Sequence, residues 1–135
     1  MATTLNALSG TGLVQTSDGS GVVKVQSNGV TTNALAWVNF NGSVASPTLA
    51  SSYNVSSVTK SSTGKYVMTM TTALSDANYA PICSGSRSTT YLGYGVFKGR
   101  PQSTTVCNLT FCIEDTYSGE SFTDGDILCC AIFGN

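Results

Sequence analysis

The sequence predicts an all-β protein: an antiparallel β-sandwich or jelly-roll-like head at residues 31–135, carried on a short N-terminal β arm or hairpin at residues 1–30. Three observations lead there. Apolar and polar residues alternate with period two, as in Tyr66, Met68 and Met70 against Val67, Thr69 and Thr71. No window of ten residues carries a helical stripe, and β-branched Val, Ile and Thr abound where helix formers would be needed. Residues that tolerate positive φ, such as Asn28-Gly29, Asn41-Gly42, Gly64, Ser118-Gly119 and Asp124-Gly125, punctuate the alternating runs.

Taken in order, the first expected strands are 12–16 and 22–27, around Asp18-Gly19. The stretch GTGLVQTSDGSGVVKVQSNG has few large apolar groups and no aromatic. A ribbon this slender buries too little to offset its ordering entropy, so it reads as an attachment segment stabilised by copies of itself or by a partner. The alternative is that 12–27 is simply the first hairpin of one sandwich. The head then follows as strands 34–41, 53–59, 65–72, 79–84, 91–98, 104–113 and 126–133. In 104–113, Cys107, Leu109, Phe111 and Ile113 share one face. Strand 126–133 is apolar on both faces and needs cover on both sides, from a second sheet plus a loop or from another subunit. Gly93, Gly95 and Gly99 miss the dinucleotide-binding spacing, have no helix after them, and read as places where a backbone or a large side chain approaches closely. Trp37, Phe40, Tyr53, Tyr66, Tyr79 and Phe97 are expected in the core or in cross-strand pairs.

Composition removes whole classes of function. Charged residues are 10% of the 135, against roughly 25% in ordinary soluble domains, while 19 Ser and 19 Thr exceed a quarter of the chain. The six basic residues are scattered and the net charge is −1, so phosphate-neutralising nucleic-acid binding is not expected. Without histidine there is no Ser-His-Asp or Cys-His relay and no mixed His/Cys zinc site. The opening MATTLNALSG lacks the charged and apolar regions of a signal peptide, and no apolar run reaches the length of a membrane span, so synthesis in a cytosol and no membrane insertion are expected.

Other constellations read blandly. Five of the seven acids, Glu114, Asp115, Glu120, Asp124 and Asp126, fall within 13 positions, and a solvated hairpin tip is preferred there over calcium binding or glycosidase-type carboxylate catalysis. Ser57-Val58-Thr59-Lys60 and Ser62-Thr63-Gly64-Lys65 spell S-x-x-K, but that nucleophile motif belongs on a helix in a larger protein, whereas both fall in a strand-turn-strand run. The sequons at Asn41, Asn54 and Asn108 carry almost no information in so hydroxyl-rich a chain. Cys83, Cys107, Cys112, Cys129 and Cys130 contain no Cys-x-x-Cys knuckle. They read as reduced thiols packed as small hydrophobes, with a disulfide between neighbouring strands, formed in an oxidising medium, as the alternative. No cofactor, no metal and no catalytic residue is expected. Arg87, Tyr91 and Tyr94, in and just after the polar loop 84–90, are the candidate surface-contact residues.

The runs Ala36-Trp37-Val38-Asn39-Phe40-Asn41-Gly42 and Tyr53-Asn54-Val55-Ser56-Ser57-Val58-Thr59, then Gly64-Lys65-Tyr66, Met70-Thr71-Thr72-Ala73 and Asp76-Ala77-Asn78-Tyr79, carry a resemblance. They resemble a module at the C-terminal ends of tail-fibre-like virion proteins of tailed bacteriophages, especially those of cyanobacteria and other aquatic bacteria. The resemblance covers residues 33–80 well and the rest loosely; the closing Ala131-Ile132-Phe133-Gly134-Asn135 is also similar. It implies a non-enzymatic, homotrimeric protein of the virion surface, contacting other capsid or tail proteins and, in a fibre, a host-surface glycan or receptor. With only about 30 residues before the module, a capsid decoration (cement) protein or short head fibre attached through the N-terminal segment is the expected role. A tail fibre binding a host receptor is the alternative.

Overall fold

A computed structural model describes residues 25–28, 30–87, 95–115 and 119–134. Every regular element among them is a β-strand, and all the pairings are antiparallel. The strands are β1 (Gln26–Ser27), β2 (Val30–Thr31), β3 (Ala36–Phe40), β4 (Leu49–Tyr53), β5 (Val55–Ser62), β6 (Lys65–Met70), β7 (Ala80–Ser86), β8 (Gly95–Pro101), β9 (Val106–Asp115), β10 (Gly119–Phe122) and β11 (Ile127–Phe133).

β1 and β2 form a small hairpin, with Asn28 at φ 51° as the turn chemistry predicts. The expected strand 12–16 and most of the arm at 1–30 lie outside the described residues. The other strands make two sheets. One is four-stranded, in the order β4-β3-β11-β7; the other is five-stranded and curled, with β9 flanked by β8 on one side and by β6 and then β10 on the other, and with β5 beyond β6. Alternation decides which residues meet between them. Val38, Phe40, Leu128, Cys130 and Ile132 of the four-stranded sheet share one buried cluster with Tyr66, Met68, Phe97, Leu109 and Phe111 of the five-stranded sheet. The rings of Phe40, Phe97 and Phe111 run through it edge to face, with centroids 6.3 and 6.1 Å apart in sequence. Gly95 and Gly99 behave as expected: a Cβ on Gly99 would lie 2.5 Å from Pro81 Cβ, and one on Gly95 would strike the Phe111 ring.

Several boundaries depart from the sequence expectation, β8 at Gly95–Pro101 against 91–98 among them, and two of the departures have a local cause. Residues 53–59 are not one strand, because Asn54 stands at φ 54° and turns the chain from β4 in one sheet to β5 in the other. Its side chain secures the corner: Asn54 Nδ2 donates to the Leu35 and Thr72 carbonyls at 3.1 and 3.2 Å, and Thr72 N–H donates to Asn54 Oδ1 at 2.8 Å. Asparagine accepts the left-handed region more readily than most residues and brings the amide that the corner uses. The second departure is β10, which forms within the acid-rich stretch expected to be a hairpin tip.

Candidate interaction surfaces

Asp124 anchors the link between β10 and β11. Its carboxylate accepts from Lys60 Nζ at 2.6 Å, Gly64 N–H at 2.9 Å and Tyr66 Oη at 3.0 Å. Gly64, at φ 68°, makes the β5–β6 turn that presents its N–H. Burial pushes the Asp124 carboxyl up, but these three donors together with the Lys60 charge outweigh it and hold the group below the ordinary carboxylate range. For Tyr66, burial first and then the hydrogen bond to Asp124 push the phenol well up, so it remains a neutral donor. Asp124 is thus a structural fastener, not a member of a solvated tip. Elsewhere in the acidic group, Glu114 stands opposite Glu120 in the β9–β10 register, and no group of three or more potential metal ligands occurs among the described residues. Both S-x-x-K tetrads lie in β5 and the β5–β6 turn.

The two sheets present very different outer faces. On the four-stranded sheet, Tyr53, Trp37, Ala131 and Ile82 stand side by side across β4, β3, β11 and β7. Trp37 is 37% exposed and Ile82 62%; Ile127 and Phe133, on the same outward parity of β11, are 43% and 36% exposed. Beside them a shallow hollow of about 290 Å³ is lined by Trp37, Ile82, Cys83, Cys129 and Ala131 among others. The four strands contain no Asp, Glu, Lys or Arg. Strand β11, expected to need cover on both faces, has its inner face buried in the core, while the described residues leave its outer face uncovered.

On the five-stranded sheet, the register sets Lys98 and Lys65 on either side of Thr110, and Arg100 beside Asn108. Two strand spacings separate the lysine backbones by about 9.5 Å, and Arg100 is about 6.7 Å along β8 from Lys98. These side chains line an open groove of about 590 Å³ with Ser61 and Phe122, and Lys65 Nζ sits 4.4 Å from the centroid of the Phe122 ring. The arrangement suits an anionic, hydrogen-bonding ligand.

The chain matches no protein-family model, no curated protein and no solved structure.

Of the residues singled out from sequence, Arg87 is exposed just after β7, while Tyr91 and Tyr94 lie outside the described residues. Sequence reasoning placed Trp37 with the core aromatics and passed over Ile82. The available signal was the parity of each strand: Trp37 alternates with the buried Ala36 and Val38, and Ile82 sits between Pro81 and Cys83 on a strand of otherwise small residues. Among the described residues no helix is long and apolar enough to cross a membrane.

Proposed function

We propose that this chain is a non-enzymatic structural protein of a phage virion surface. In this reading it is a capsid decoration protein or short head fibre, its head an antiparallel sandwich that assembles as a homotrimer and is attached through residues 1–30. The observation that carries the reading is the charge-free four-stranded sheet with Trp37, Ile82, Ile127 and Phe133 exposed on one side. Contiguous apolar surface of this kind marks an association site. Its occupant here is another copy of the chain, because a face without charges meets a like face with no electrostatic penalty and no buried ion to compensate. The low charged fraction of the whole chain agrees with a surface partly used in assembly.

The test uses the full chain. Light scattering should give a multiple of the 13.9 kDa chain mass, and the protein added to purified capsid shells should bind them and raise their resistance to heat. A monomer that leaves shell stability unchanged overturns the reading.

The basic groove favours a second reading, a tail fibre that binds an anionic host-surface glycan or receptor. That protein would bind host cells and compete with infection, and would leave shells unaffected.

A further inference from the structure

We propose that Cys83 and Cys130 constitute a disulfide-forming site, closed by exchange with a low-molecular-weight disulfide. The inference stands apart from any role in a virion. Cys130 on β11 and Cys83 on β7 are direct partners in the antiparallel register. Opposed residues in such a pair have Cα atoms about 4.5–5.5 Å apart, inside the roughly 4.4–6.8 Å that a disulfide spans. Their sulfurs already lie 3.3 Å apart. Contraction to a bond of about 2.05 Å is within reach of side-chain rotation and leaves the strands where they are.

The remaining cysteines explain why this pair is selected. Cys129 alternates to the outer face and stands opposite Ser84. Cys112 Sγ lies 3.7 Å from the Val96 carbonyl oxygen, on the far side of β9 from Cys107 and Phe111. Cys107 belongs to the opposite sheet, on β9, and its Sγ lies 3.8 Å from the Asn108 carbonyl oxygen. Access comes through Cys83, which is only half-buried and lies on β7, the edge strand of its sheet.

The chemistry closes in two exchanges. The Cys83 thiolate attacks one sulfur of the small disulfide, forming a mixed disulfide and releasing one thiolate. The Cys130 thiolate then attacks Cys83 Sγ, forming the Cys83–Cys130 bond and expelling the second thiolate. Two protein thiols are oxidised, one small disulfide is reduced to two thiols, and the two protons lost by the cysteines end on those thiols.

Oxidised glutathione incubated with the full chain, followed by alkylation and intact mass, tests this. We expect three of the five cysteines to remain alkylatable, a peptide map joining residues 83 and 130, and a rise in Tm of about 5–15 °C that a reductant reverses, since the bridge closes a 47-residue separation. Cys83→Ser should lose both the linkage and the rise, while Cys129→Ser should keep both. Five alkylated thiols, a glutathione adduct that never resolves, or a linkage between any other pair overturns the proposal. The peptide map of the unsubstituted chain decides the matter even if Cys83→Ser does not fold.

Discussion

The outer faces of the two sheets differ as a bisected core differs from a wet surface. Every charged strand residue in the described structure belongs to the five-stranded sheet, where Lys65, Lys98 and Arg100 stand among Ser, Thr and Asn. The four-stranded sheet carries none, and offers Trp37 and Ile82 instead. Both sheets bury their inner faces in the same cluster, so the contrast owes nothing to the core. It teaches that the division of labour is written in the outward parity of the strands, one face suited to association and the other to solvent and anionic ligands.

The largest effect is expected where a substitution removes both faces together. Asp124→Ala leaves Lys60, the Gly64 N–H and Tyr66 without their shared acceptor, and should lower unfolding stability by about 2–4 kcal/mol in denaturant titration. Tyr66→Phe, which loses only a hydroxyl that also donates to the Gly42 carbonyl, should cost about 1–1.5 kcal/mol. A smaller effect of Asp124→Ala than of Tyr66→Phe would show that the fastener is not the carboxylate.

Trp37→Glu puts a charge on the charge-free face. Self-association should weaken by at least about 30-fold, about 2 kcal/mol, in sedimentation equilibrium, with the β-sheet circular dichroism unchanged. Reversal of the other face by Lys65→Glu with Arg100→Glu should reduce retention on an anionic matrix at low salt, by about 1 kcal/mol, and leave the association state alone. If the groove variant dissociates the assembly, or the Trp37 variant abolishes retention while remaining folded, the two faces do not act separately.

The smallest effect is one of pH. Asp124 is depressed in the folded protein, so the unfolded chain binds its proton first as pH falls. Its contribution is complete above the unfolded carboxylate value, near pH 4, and is lost as pH drops from there through the folded value. Acid titration of the wild type against Asp124→Asn should show that loss only in the wild type.

Much of the strand pattern beneath this contrast was legible in the sequence. Period-two alternation located β6 and β9, and the doubly apolar 126–133 marked the strand whose outer face lacks cover. The turns at Asn28 and Gly64 followed from residue chemistry alone. Tertiary contacts hid the rest. Asn54 reads as one polar residue in an extended run until the Leu35 and Thr72 carbonyls are beside it. Asp124 lies among neighbours of like charge in the chain, and only folding brings Lys60 to it across 64 positions. The basic groove was equally invisible, because residues 65, 98 and 100 become neighbours only through the β6–β9–β8 register.

The position of β11 has a consequence for how the protein comes into being. This strand lies between β3 and β7, so the four-stranded sheet joins a segment near residue 36 to one near residue 133. During synthesis β3 and β4 can pair as a hairpin, but β7 has no neighbour in its sheet until Ile127–Phe133 has emerged. Pairing of such distant segments is slow to nucleate, on the order of milliseconds to seconds. A nascent chain therefore presents an unfilled slot between two strand edges until its last strand arrives, and a chain cut short before residue 127 keeps that slot open to its neighbours.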